Sequence, residues 1–190
     1  QTLNTIDEPR RQAAACVADL DANGIQCIVE GDRHYPRRLT VMGEDAPVVL
    51  FVQGDPAMLN AETGAAVGSR QPSTAAGGFV SELCGRMAED GTVIVSGGAR
   101  GIDSAAHGAA LEHGRTVMVL PVGLAKQWKT PALRRLSERD RDSVCILSQF
   151  PPHAGWDSGQ AIMRNRVICA LADWVLAADP RDRGGTWSSC

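Results

Sequence analysis

The chain carries no surplus of positive charge. Against 19 Lys and Arg stand 22 Asp and Glu, a formal net charge of -3 over 190 residues. A globally basic nucleic-acid binder is thereby excluded, and any anionic ligand has to be held by a local site. No apolar run approaches the ~20 residues that a membrane-spanning helix needs. The polar start QTLNTIDEPRR is not a signal peptide. There is no initiator Met, which reads as a trimmed chain or a piece of a longer one. The six cysteines (Cys16, Cys27, Cys84, Cys145, Cys169 and Cys190) make no CxxC pair and no zinc-ligand cluster. Most sit in apolar strings such as SVCIL and VICAL, so buried, reduced thiols of a cytoplasmic protein are expected. There is no GxxxxGK[ST], which excludes a P-loop. There is no complete GxGxxG either: Ser96 replaces its first Gly, and the next strand ends Leu120-Pro121-Val122-Gly123 without an acidic residue. NAD-type binding is therefore not expected, and neither cofactor nor metal is called for.

What is present is a regular alternation. Residues 7–23 predict an amphipathic helix with Asp7 as N-cap and Gly24 as its stop. Short strands follow at 25–29 and 48–54, and residues 1–62 read as an N-terminal lobe packed on the remainder. From 63 to 190 strands are predicted at 65–67, 92–96, 115–120, 143–148 and 173–178. Helices are predicted at 73–89, 102–113, 131–141 and 160–171. Strand–helix alternation with apolar, β-branched strands means an α/β fold. Its sheet is parallel and covered by helices on both faces, as in an extended Rossmann-type domain.

In such a sheet ligands bind outside the carboxyl ends of the strands, where the strand order reverses. Four of the five strands of the main domain end in loops rich in Gly, Ser or Arg. They carry Gly68-Ser69-Arg70, Ser96-Gly97-Gly98-Ala99-Arg100-Gly101, Arg164-Asn165-Arg166 and Gly184-Gly185-Thr186. Glycines let backbone N–H groups approach an oxyanion, and the following helix adds its N-terminal donors and dipole. Ser69 and Ser96 offer hydroxyls, and Arg70, Arg100, Arg164 and Arg166 offer charge and bidentate contacts. The pattern is that of phosphate binding. Asp103 and His107, four apart on one helix, admit two readings. One is an acid–base pair; the other is a carboxylate at the helix start with a histidine that fixes the loop, which the lack of an evident nucleophile favours. The run 126–141 is locally basic, but interspersed acids make it a solvated helix face.

The blocks VGSRQPS (67–73), SGGARGIDSAAHGAAL (96–111) and FPP…RNRVICALAD (150–173) resemble, in that order, signature blocks of the DNA-processing protein A (DprA/Smf) family. GDRHYPRRL…APVVLFVQGD resembles the lead-in to that family's Rossmann domain. The resemblance implies a cytoplasmic bacterial protein that binds single-stranded DNA and helps to load a RecA-type recombinase onto it in natural transformation and DNA recombination. No established enzymatic activity is implied. The implied DNA-phosphate pocket is Gly68, Ser69 and Arg70, with Ser96, Gly97, Arg100, Arg164 and Arg166 around it. Some positions differ from the family pattern. Ala161 stands where an aromatic is expected, which implies weaker DNA binding. Gln149 follows Ser148 where a Glu is usual, and relatives continue beyond Cys190 with a helix and a strand. A second class stays open. Arg183-Gly184-Gly185-Thr186 resembles, in part, the Gly-Gly-x-Gly-Thr motif of phosphoribohydrolase-like enzymes, which would make the ligand a small nucleotide.

The family's self-association surface is implied to lie mostly beyond Cys190, and no heptad or apolar stripe replaces it here. This chain is therefore expected to be monomeric. Sedimentation at micromolar concentration should return a single species of the chain's own mass, and a tight dimer would contradict the reading.

Overall fold

The structure, a computed structural model, describes residues 4–125, 133 and 136–180. Seven strands form one sheet: β1 (Gln26–Val29), β2 (Val49–Gln53), β3 (Thr63–Gly68), β4 (Val93–Ser96), β5 (Thr116–Val119), β6 (Val144–Ser148) and β7 (Trp174–Ala178). Their order is β1-β2-β6-β5-β4-β3-β7. The five strands from β3 onward pair in parallel, while β1–β2 and β2–β6 are antiparallel. The change of pairing sense thus falls at the boundary near residue 62.

Four helices, α1 (Asn4–Ala22), α2 (Thr74–Glu89), α3 (Ile102–His113) and α4 (Ser158–Leu171), accompany the sheet. Strand alternation decides which face each covers. Ala65, Val67, Val93, Val95, Val117 and Val119 point to one face, where Val167, Ile168 and Leu171 of α4 meet them. Ala66 and Ile94 point to the other, against Val80, Cys84 and Ala88 of α2 and Ile102, Ala106 and Ala110 of α3. The expected α/β architecture with helices on both faces is the one observed. The topology also fixes the crevice. β4, β5 and β6 are laid down on one side of β3, and α4 then carries the chain back so that β7 lands on the other side. The order reverses at β3, and the crevice lies outside the carboxyl ends of β3 and β7.

Three expectations change. α1 begins at Asn4, so Asp7 lies inside the helix and does not cap it; Gly24, with φ 63°, ends it as expected. A charged helix over 131–141 is not what the described part shows. Glu138–Ser143 is a 3-10 turn in which Asp140 accepts bonds from both the N–H (2.6 Å) and the hydroxyl (2.8 Å) of Ser137; residues 126–132, 134 and 135 lie outside the described residues. The thiols are not uniformly buried: Cys16 and Cys27 are exposed, whereas Cys84 and Cys145 are buried. Burial pushes Cys84 up to about 11 and Cys145 up to about 12, which leaves both as unreactive thiols at neutral pH.

One polar cluster ties the N-terminal segment to the base of the parallel sheet. Arg38 grips both carboxylate oxygens of Asp173 (2.8–3.1 Å) and donates to Ala61 O at 2.9 Å, while Asp173 also accepts the N–H of Thr63 at 2.9 Å. The Thr63 N–H, followed by Arg38, holds the Asp173 carboxyl below the usual carboxylate range. Its stabilising contribution is therefore complete above that range and is lost as pH falls through the depressed value. Asp173→Asn should cost about 1 kcal/mol at pH 7, a figure discounted for the partial exposure of the pair. In urea unfolding the gap between the two proteins should close as pH falls below the usual carboxylate range, and a gap independent of pH would contradict this assignment.

Candidate nucleic-acid interface

At the crevice the loops after β3 and β4 are locked together by backbone. Ser69 N–H donates to Ala178 O (3.2 Å) and Ile102 N–H to Ser69 O (3.1 Å). A Cβ at Gly68 would overlap Ala178 O, and one at Gly101 would overlap Ser69 O and crowd Arg70. Gly101 has φ 78° and Gly98 φ 70°, conformations that L side chains adopt rarely. These glycines are thus set by close approach of three strand ends. The outcome is that Arg70 and Arg100, both exposed, stand on adjoining loops at the mouth of the crevice.

Two carboxylates take part of the expected cradle of amides, those of Ala99 and Ser73, while the N–H groups of Arg70, Gly98, Arg100 and Gly101 have no protein partner among the described residues. Asp103, buried under the β4–α3 loop, accepts the N–H of Ala99 at 3.2 Å. Asp179, in the left-handed region at φ 48°, accepts the N–H of Ser73 at 2.9 Å, at the start of α2. The Ser73 hydroxyl caps the Ala76 N–H at 3.2 Å. A carboxylate at a helix N-terminus occupies the place where a phosphate would otherwise sit. The serines are also spent inward. Ser96 hydroxyl donates to Ala66 O (2.6 Å), and Ser69 Oγ accepts the N–H of Gln71 (3.1 Å). Asp179 is the functional residue that sequence reasoning missed; Ala-Asp-Pro reads locally as a strand end, and its bond to Ser73 spans 106 residues.

The arginines of α4 do not converge on the mouth with Arg70. Positions two apart on a helix point to different sides. Arg164 turns into the protein, 5% exposed, and its Nη1 donates to the carbonyls of Gly97 and Val119 (2.7 Å to the latter). Arg166 turns outward and pairs with Asp45 at 2.8 Å, on the 3-10 turn Arg37–Asp45. Half-buried Asn165 lies between them. Gly184, Gly185 and Thr186 lie outside the described residues, as does any contribution they make.

His107 belongs to the same buried cluster and not to an exposed acid–base pair. Its Nδ1 lies 2.7 Å from Thr116 Oγ1, whose hydroxyl donates to Ile94 O at 2.6 Å. The hydroxyl therefore accepts, and the imidazole proton sits on Nδ1. Nε2 is buried without a partner. Burial first, and the Arg164 charge second, push His107 down to about 3, so the ring is neutral. Burial raises the Asp103 carboxyl, and Arg164 and the loop N–H groups pull it back. With neither group reaching solvent, the structural reading of the pair holds.

A model of the DNA recombination-mediator protein A family matches residues 26–190. The DNA processing protein DprA of Streptococcus pneumoniae is 35% identical over 160 residues, covering 84% of this chain and 56% of that protein. Its X-ray structure superposes with a TM-score of 0.79 at 33% identity, over 91% of this chain and 61% of that one. A DNA processing protein A structure from Helicobacter pylori, whose subject is its single-stranded DNA binding mode, superposes with a TM-score of 0.76 at 28% identity. That match covers 87% of this chain and 74% of that one. The chain thus spans little more than half the length of its curated Streptococcus relative.

A neutral buried histidine makes a pH prediction. Between about 3 and the ordinary histidine value of 6.5 the unfolded chain binds one proton more than the folded chain. Stability should therefore fall as pH drops through that window, by up to about 1.4 kcal/mol per pH unit. His107→Gln should remove this slope in urea unfolding; the oppositely signed contribution of Asp103 is present in both proteins and drops out of the comparison. Identical slopes would place the ring in solvent.

Proposed function

Because the chain belongs to the DNA recombination-mediator protein A family, we propose that it binds single-stranded DNA as a recombination accessory protein, through the crevice mouth at Arg70 and Arg100. The observation that carries this reading is how the cleft spends its donors. A free nucleotide is held by a ring of backbone amides closing on its phosphates. Here the amides of Ser69, Gln71, Ser73, Ala99 and Ile102 are bonded within the protein, which leaves those of Arg70, Gly98, Arg100 and Gly101 as an incomplete ring. Beside them at the mouth stand two flexible guanidinium groups on an open surface. Such groups suit a strand of successive phosphates better than one enclosed diphosphate. The overall charge of -3 does not oppose this, since a local pair of arginines acts within a Debye length of about 8 Å at physiological salt. We further propose that this chain acts as a monomer in the cytoplasm and that a RecA-type recombinase is the partner to which the DNA is passed. Among the described residues no helix is long and apolar enough to cross a membrane.

Labelled oligothymidylate and mononucleotides, titrated in parallel, test the reading. The oligonucleotide should bind with a log–log salt slope, and Arg70→Ala should weaken it and flatten the slope by roughly 0.7, the value of one phosphate on a single strand. If Arg70→Ala binds DNA like the parent, the mouth is not the DNA site. If mononucleotides bind and the oligonucleotide does not, the ligand is a small nucleotide.

A further inference from the structure

Arg164 is a buried cation on a surface otherwise built from open arginines. Its guanidinium is 5% exposed and lies where Gly97 has no side chain; a Cβ there would overlap it. Through Nη1 it donates to two carbonyls at neighbouring strand ends, Gly97 of β4 and Val119 of β5. Asp103 holds the opposite polarity of the same loop, accepting the N–H of Ala99. Ser104 Oγ adds a bond to Ala99 O at 2.7 Å. The loop is thus gripped at a carbonyl by a cation and at an amide by an anion. The two charges offset each other's burial. Arg164 Nε and His107 Nε2 are both buried without a partner, a donor and an acceptor in the same cluster. A side chain committed in this way is not available to a strand of DNA at the surface.

We propose that Arg164 is a positioning residue of the crevice and not one of its phosphate ligands: by clasping the carbonyls of Gly97 and Val119 from inside, it sets the course of residues 97–101 and so the place of Arg100 beside Arg70. This rests on the single-stranded DNA reading for its consequence, but not for its geometry. Lysine is a poor replacement, because its side chain ends one bond short of the place that Nη1 reaches between the two carbonyls.

Two measurements on the whole chain separate the possibilities. The first is amide hydrogen exchange over residues 97–101 without DNA, for the parent and Arg164→Gln. Exchange should quicken in the variant, and unchanged exchange overturns the proposal whatever the protein binds. The second is the salt dependence of oligothymidylate binding, well below the melting temperature. Arg164→Gln should weaken binding about tenfold while keeping the parent's slope, whereas Arg70→Ala and Arg100→Ala should each lower the slope by roughly 0.7. Arg164→Lys should restore little of the loss. Gly97→Ala, which keeps the charge but displaces the guanidinium, should reproduce the phenotype of Arg164→Gln and stands in for it should that variant not fold. A slope lowered by about 0.7 in Arg164→Gln would make Arg164 a phosphate ligand. Parental affinity in the folded variant would leave it a stability residue only. Both outcomes contradict the proposal, whereas a parent that binds no oligonucleotide at any salt contradicts the single-stranded DNA reading instead.

Discussion

Two buried charges under one glycine loop govern the crevice. Asp103 takes the amide of Ala99, and Arg164 takes the carbonyl of Gly97 and that of Val119. A charge taken from water is costly unless it is met by an opposite charge and by hydrogen bonds. Here each charge is met by the other, and bonds to the backbone of the loop and of β5 satisfy part of their remaining needs, so the loop has one favoured course. That course brings Gly101 against Ser69 O and sets the exposed arginines of two loops side by side. A Cβ at Gly97 would break the arrangement, which is why the first loop residue after β4 is the smallest possible.

The same economy distinguishes the cleft from a P-loop or a dinucleotide turn, which keep their backbone amides free and aim them at the ligand. This one closes two of its amides with its own carboxylates, Asp103 at α3 and Asp179 at α2, and sets side-chain cations beside those that stay open. Contacts of that kind position a strand without reading its sequence, and their strength depends steeply on salt. The family's connection with DNA and the geometry of the mouth point the same way from independent grounds.

Much of the fold is legible in the sequence because its signals are local. The α3 helix is bounded by Gly101 and Gly114 on either side of a continuous run of small and apolar residues, and it lies where that pattern puts it. Ser73 and Asp157 cap the helices that follow them. The glycine-rich loops after β3 and β4 do lie together at the carboxyl edge of the sheet, because strand ends and glycines are written locally. What the polar groups do there is not written locally. The Asp179–Ser73 and Arg164–Gly97 contacts join segments far apart in the chain, and nothing near either residue marks it as spoken for. The opposite facing of Arg164 and Arg166 follows from the helical repeat alone, once the segment is known to be helical throughout and not a loop end. The antiparallel β1–β2 pair beside β6 is likewise a long-range choice that local pattern does not encode.

The central claim is that the arginine side chains of the mouth meet the phosphates, while the amides of Ser73 and Ala99 stay with their carboxylates. Nitrogen-edited NMR during titration with short oligothymidylate tests it most directly, since backbone N–H and arginine Nε–H signals are resolved separately. The account predicts that the Nε–H signals of Arg70 and Arg100 move on binding while the amide signals of Ser73 and Ala99 stay in place, still bonded to Asp179 and Asp103. Movement of those two amides, with the arginine signals unchanged, would contradict it.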